Sequence, residues 1–112
     1  MSRTKYNATR YIDGEERFDS KKEYLRWKQL KKEYDEGKIF MLERQVEFEL
    51  IPRQKDEWTG KVLERACKYK ADFVYRRDGV TIVEDVKGYK TEVYKIKKKL
   101  MLYRYGIQIR EV

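Results

Sequence analysis

Apolar positions along the chain recur with two different periods, and the change of period marks the elements. Trp27, Leu30 and Tyr34 stand at helical spacing with Glu23 on the same stripe, as the inward face of one helix requires. This helix is predicted to start at a cap on Asp19 or Ser20, to run to about Glu36 and to stop at Gly37. Ahead of it, Thr9–Ile12 and Glu15–Phe18 flank Asp13-Gly14 and predict a small hairpin, after a polar, loose stretch at residues 1–10. From Ile39 the period becomes two. Val46, Phe48 and Leu50 alternate through a strand from Gln45 to Ile51 that Pro52 ends. Residues 52–62 read as a connection. Two extended runs, Ala66–Arg76 and Val80–Lys87, then join around Arg77-Asp78-Gly79 as a tight hairpin. Gly88 ends the second run, and Thr91 caps a helix from Glu92 to about Tyr105, with Val93, Ile96, Leu100 and Tyr103 as its expected buried stripe. Gly106 stops that helix, and Ile107–Val112 forms a last short strand. The order helix, strand, strand, strand, helix, strand predicts an α/β fold with an αβββαβ core: a central mixed sheet flanked by helices.

Composition narrows the chemistry such a fold can carry. At 112 residues the chain is expected to form one domain, residues 1–112. No apolar run approaches the ~20 residues of a membrane span, and no apolar stretch follows the basic N-terminus, so a soluble, cytoplasmic protein with no membrane partner is expected. Cys67 is the only cysteine and histidine is absent. Cysteine-cluster or histidine-ligated zinc and the Ser-His or Cys-His nucleophile schemes are therefore excluded, leaving carboxylates, lysine or tyrosine for acid-base or metal chemistry. The formal net charge is +8, and residues 87–112 carry eight Lys/Arg against Glu92 and Glu111. That quarter of the chain is a candidate polyanion-binding surface.

Candidate chemistry sits on the predicted hairpin. Side chains alternate along Thr81–Lys87, so Asp85 and Lys87 share one face while Glu84 takes the other. A turn centred near residues 78–79 places Asp72 about opposite Asp85. Two carboxylates and an ammonium then converge, as phosphodiester hydrolysis requires. Asp72, Asp85 and the backbone carbonyl of Val86 would hold Mg²⁺, which Mn²⁺ would replace, and Lys87 would position or deprotonate the attacking water. The triplet acid-x-Lys occurs three times, at Asp19, Glu36 and Asp85, but only the third ends an apolar strand and follows a second acidic strand. The structural alternative is a pair of solvated strand-end acids with Lys87 as a cross-strand ion pair. Lys90, Lys95, Lys98 and Lys99 are the expected nucleic-acid contacts; their structural alternative is a solvated helix face.

The stretch from Ala71-Asp72 to Glu84-Asp85-Val86-Lys87-Gly88, followed by a basic helix, resembles the PD-(D/E)XK nuclease superfamily with its restriction-endonuclease-like core. Ala71 stands where the motif has proline. The segments Phe18–Glu23, Gln45–Leu50, Glu84–Tyr89 and Tyr105–Ile107 look like a family of small phage-encoded proteins of uncharacterised function within that superfamily. Holliday-junction resolvases and transposon end-cleaving endonucleases are similar at the core. The resemblance implies an Mg²⁺-dependent endodeoxyribonuclease acting on branched or structured DNA, with Glu23 as a further metal ligand and Gln45 beside the metal. Glu23 has a competing role in a Ser20-Lys21-Lys22-Glu23 capping box, and Gln45 one as a strand-end residue. A homodimer is expected from the symmetric cutting of resolvase-like enzymes. The alternatives are a nucleic-acid-binding module without cleavage, and a phage protein that binds a host protein.

Overall fold

The computed structural model describes residues 11–13, 16–87 and 90–112, with side-chain surroundings from residue 16 onward. The stretch 1–10, the turn position Gly14 and the strand stop Gly88 lie outside the described residues. Strands β1 (Tyr11–Asp13) and β2 (Glu16–Phe18) pair antiparallel. Helix α1 spans Lys21–Asp35, with Ser20 as its N-cap: the Ser20 hydroxyl accepts from the Glu23 amide at 3.1 Å. Glu36 is its C-cap, and Gly37 follows at φ 75°, the left-handed stop that glycine adopts without strain.

The central sheet is mixed, in the order β3 (Phe40–Ile51), β6 (Cys67–Arg77), β7 (Val80–Asp85), β8 (Arg110–Glu111). The first two junctions are antiparallel and the β7–β8 junction is parallel. Arg77 pairs with Val80 across Asp78-Gly79, both at positive φ (52° and 77°), which is the two-residue turn whose twist suits a hairpin. Helix α2 (Glu92–Tyr105) connects β7 to β8 and is capped by Thr91 and Gly106. The chain between β3 and β6, read from sequence as a plain connection, folds into a separate ribbon of β4 (Gln54–Lys55) and β5 (Val62–Glu64).

Each helix covers its own face of the sheet. Trp27 and Leu30 of α1 pack with Phe18, Ile39, Phe73 and Tyr75, and the Trp27 and Phe73 rings stack at 6.1 Å. Tyr34, expected on this stripe, is 46% exposed, because the buried contact ends one turn earlier at Leu30. On the other face Tyr94 and Met101 of α2 pack with Leu50, Tyr69, Ala71, Val83 and Ile109. The stripe expected to be buried on α2 is rotated: Val93, Ile96 and Tyr103 are exposed, and only Leu100 of that set reaches the core. Helix α2 carries two apolar stripes about a third of a turn apart, and docking chose the one led by Tyr94.

Cluster membership also shows that β3 and β6 change face partway along. On β3, Leu42 lies with α1, whereas Phe48 and Leu50 lie with α2, although all three are even-numbered. On β6, Phe73 and Tyr75 lie with α1, whereas Tyr69 and Ala71 lie with α2. Simple alternation forbids this. Both strands slip phase at one level, between the pairs Arg44–Phe73 and Val46–Ala71, where Gln45 on β3 faces Asp72 on β6. Gln45 has φ 53°, a left-handed conformation that costs a non-glycine residue roughly 1–2 kcal/mol. Gln45→Val is therefore expected to lower unfolding free energy by about 2 kcal/mol, and Gln45→Gly to be nearly neutral, in urea titrations. Equal losses in both variants would show that the backbone conformation is not the reason.

Candidate active site

The phase slip lies at Asp72 itself, level with the end of β7, and Asp72 interacts with both Asp85 and Glu23 of α1. The pair Phe73–Glu84 fixes the register and carries Asp72 opposite Asp85, as the hairpin turn predicts. Asp72 has both carboxylate oxygens occupied: Oδ2 accepts from the Val86 amide at 2.7 Å and Oδ1 from the Gln45 amide nitrogen at 3.3 Å. The Val86 amide is available because of the parallel strand beyond it. Val112 donates to the Asp85 carbonyl at 3.0 Å and accepts from the Lys87 amide at 3.4 Å, so the intervening Val86 amide points back toward β6.

Asp85 is 3% exposed, and its Oδ2 accepts from the Tyr69 hydroxyl at 2.8 Å and meets Lys87 Nζ at 3.4 Å. The Lys87 ammonium also stands 4.3 Å from the centre of the Tyr94 ring, a cation–π contact that limits where it can swing. Tyr94 is itself held by its hydroxyl, which donates to Glu111 Oε2 at 2.7 Å. Glu23 reaches the same cluster from the first turn of α1 and is 5% exposed. Its Oε1 accepts from the Asp19 amide and from Arg44, both at 3.4 Å. The capping role and the site role thus coexist: the carboxylate caps the helix one residue earlier than the box pattern expects, and still lies against Asp72.

Asp72 is the middle of three acids. Burial, then the neighbouring Asp72 carboxyl, push Glu23 up to about 7, against the lowering effect of the Asp19 amide and Arg44. Burial and Asp72 likewise raise Asp85 to about 7, against Tyr69 and Lys87. Two carboxyls raised in this way on either side of a third mark a place where full ionisation is unfavourable in the metal-free protein and where a cation would stabilise the ionised acids. Among the described residues, however, no three carboxylates are drawn close enough to form a ready-made metal cage. They carry protein donors instead: Gln45, Val86, Tyr69, Lys87 and Arg44.

The structure thus brings together Glu23, Gln45, Asp72, Asp85, Val86 and Lys87. The basic residues of α2 and its approach are more engaged than their sequence suggests. Lys90 and Lys98 both pair with Glu111, at 3.0 and 3.4 Å, and Lys95 pairs with Glu92 at 3.0 Å; Lys99 is exposed. Tyr94, Lys90 and Lys98 together hold Glu111 down to about 2. These partly exposed pairs are individually weak and exchangeable for phosphate. Glu84 faces away, as alternation predicts. It is fully buried on the α1 side, bridged by Arg26 Nε and Nη2 at 2.8 and 2.6 Å and hydrogen-bonded by Tyr75. Tyr69 and Tyr94 do not stand out in the sequence. Nothing in the linear pattern separates these two from the other eight tyrosines; only the sheet register and the docking of α2 aim them at Asp85 and Lys87.

No helix among the described residues is long and apolar enough to cross a membrane. Comparison with curated proteins and with solved structures returns no match. Residues 3–111 match the family described as "Protein of unknown function (DUF1064)", and the chain belongs to that family.

Proposed function

We propose that the protein is a metal-dependent endonuclease of the PD-(D/E)XK type, hydrolysing phosphodiester bonds in DNA, with branched or structured DNA as the substrate class. The observation that supports this most is the row Glu23, Asp72, Asp85, with Lys87 held beside Asp85 and two of the three acids raised to about 7. Hard carboxylate oxygens without histidine or thiolate suit Mg²⁺ or Mn²⁺ and disfavour zinc. The donor set therefore fits: Asp72, Asp85 and Glu23, with the Val86 carbonyl, would hold the ion as Gln45 gives up its contact to Asp72. A bound Mg²⁺ polarises a phosphoryl oxygen and lowers the pKa of coordinated water.

The remaining roles fall to the chain itself. Lys87, fixed between Asp85 and the Tyr94 ring, orients the attacking water and offsets negative charge on phosphorus. Tyr69 holds the Asp85 carboxylate in place through its hydroxyl. Lys99, with Lys90, Lys95 and Lys98 once their carboxylate partners are exchanged for phosphates, tracks the DNA backbone along α2.

The test is cleavage of a labelled four-way junction and a matched duplex with Mg²⁺, Mn²⁺ or EDTA. Cleavage in both metals and none in EDTA is expected, with the junction cut faster. Binding without cleavage across metals and substrates would leave a nucleic-acid-binding module instead. Light scattering with and without the junction checks the expected dimer.

A further inference from the structure

The ribbon β4–β5 plays no part in the site and is built unlike the rest of the chain. From Ile51 to Arg65 every residue except Asp56 is exposed, so both faces of the ribbon are in solvent. A two-stranded ribbon is marginal by itself in water, yet its tip is tightly organised. Asp56 Oδ1 accepts from the Trp58 and Thr59 amides, both at 2.9 Å. The Asp56 amide donates to the Lys61 carbonyl at 2.8 Å, and Gly60 closes the turn at φ 73°. This turn presents Trp58 at its apex with 93% of its surface exposed. A large aromatic ring so exposed, on a backbone already ordered, has the form of a recognition element.

The charges around it indicate the partner. Arg53, Lys55, Lys61 and Arg65 lie on the ribbon or at its base, all exposed, and none makes an ion pair among the described residues. The local acids are Glu57, Glu64 and Asp56, the last turned inward to hold the tip. Four free cations flanking one exposed indole match a nucleic-acid strand: the cations meet phosphates and the ring meets a base face. An unpaired base fits better than a continuous duplex, whose base faces are covered by their neighbours. We propose that the β4–β5 ribbon is a second nucleic-acid contact that stacks Trp58 on an unpaired or unstacked base, such as a branch point or single-stranded arm exposes. The proposal rests on the nucleic-acid reading above and names the substrate feature that reading leaves open.

Trp58 emission tests it directly, because the other tryptophan, Trp27, is packed against Phe73 and is 9% exposed. The full chain in EDTA is titrated with a single-stranded oligonucleotide, a four-way junction and a matched duplex, following emission and the anisotropy of labelled DNA. Saturable quenching by the single strand and the junction is expected, with less by the duplex. Trp58→Ala should weaken binding to both by roughly 10- to 100-fold, while Trp58→Phe keeps most of it. Tight binding that Trp58→Ala leaves unchanged, with emission unaltered, would overturn the proposal while sparing the nuclease reading. Absence of any binding by the wild-type chain would sink both. A dimer that Trp58→Ala dissociates, with DNA affinity unchanged, would assign the ribbon to contact between copies and overturn it too.

Discussion

Replacing Asp85 by Asn is expected to abolish DNA cleavage, by roughly a thousandfold or more, while leaving the protein folded and able to bind its substrate. The expectation rests on where Asp85 sits: 3% exposed, between the Tyr69 hydroxyl and the Lys87 ammonium, and level with Asp72 on the neighbouring strand. Asparagine keeps the shape and an acceptor for Tyr69. It removes the charge that an ion would need and that Lys87 leans on. Lys87→Ala should bring a comparable loss in turnover with a small change in binding, since one ammonium among many cations adds little to phosphate affinity. Glu84→Gln is the control that separates site from scaffold. Glu84 is a buried acid one residue away, but it serves Arg26 and Tyr75 on the α1 side. It should cost stability and spare turnover per folded molecule. Cleavage in Asp85→Asn at wild-type rates would refute the site, whatever the behaviour of the other two.

The metal-free protein should be more stable near pH 5 than near pH 8, against the usual trend for acid-rich sites. Glu23 and Asp85 are both raised to about 7 from ordinary values of 4.5 and 3.8. Between those values and 7 the folded chain holds protons that the unfolded chain has released. Its stability therefore falls as pH rises through that window and stays low above it. Holding a proton one pH unit beyond its ordinary release point corresponds to about 1.4 kcal/mol, so the combined loss is on the order of a few kcal/mol, enough to move the melting temperature by ~10 °C or more in a chain of this size. Asp72→Asn should flatten the slope in part, leaving the share due to burial, and should raise stability at pH 8 in EDTA. Mg²⁺ should stabilise the wild type at pH 8, by about 2.7 kcal/mol at a hundred times its dissociation constant, and do little for Asp72→Asn. Melting curves at pH 5, 6, 7 and 8, with and without Mg²⁺, check all of this. A wild-type protein that gains stability from pH 5 to 8 in EDTA would contradict the raised carboxyls.

Local chemistry is enough to locate most of the site. The Asp78-Gly79 turn sets the β6–β7 register, and the register alone carries Asp72 opposite Asp85. Strand alternation puts Lys87 with Asp85 and sends Glu84 to the other face. The Ser20 cap and the i, i+4, i+7 spacing of Glu23, Trp27 and Leu30 place Glu23 inward, and the structure shows it buried there. Each of these depends on neighbours within a turn or a hairpin, so a linear pattern suffices.

What lies beyond the linear pattern depends on contacts between distant segments. Helix α2 bears apolar residues on both Val93–Ile96 and Tyr94–Met101 stripes, and its own period cannot choose between them. The choice comes from a sheet that offers Tyr69 and Val83 as a packing surface and a buried acid to hold beside Lys87. The ribbon β4–β5 is illegible in the sequence because it buries almost nothing, so no alternation of apolar and polar residues betrays it. The face change at Gln45 and Asp72 leaves no trace in composition either, since both strands keep their period on each side of the slip. By itself the sequence determined the two helices and the approximate strands of the central sheet, the hairpin register and the facing of Asp85 and Lys87, all through short-range geometry. Only the tertiary structure decided which face of α2 is buried, where β3 and β6 turn over, and that Glu23, Asp72 and Asp85 meet in one row, because those outcomes minimise exposed apolar area and unpaired polar groups across the whole chain at once.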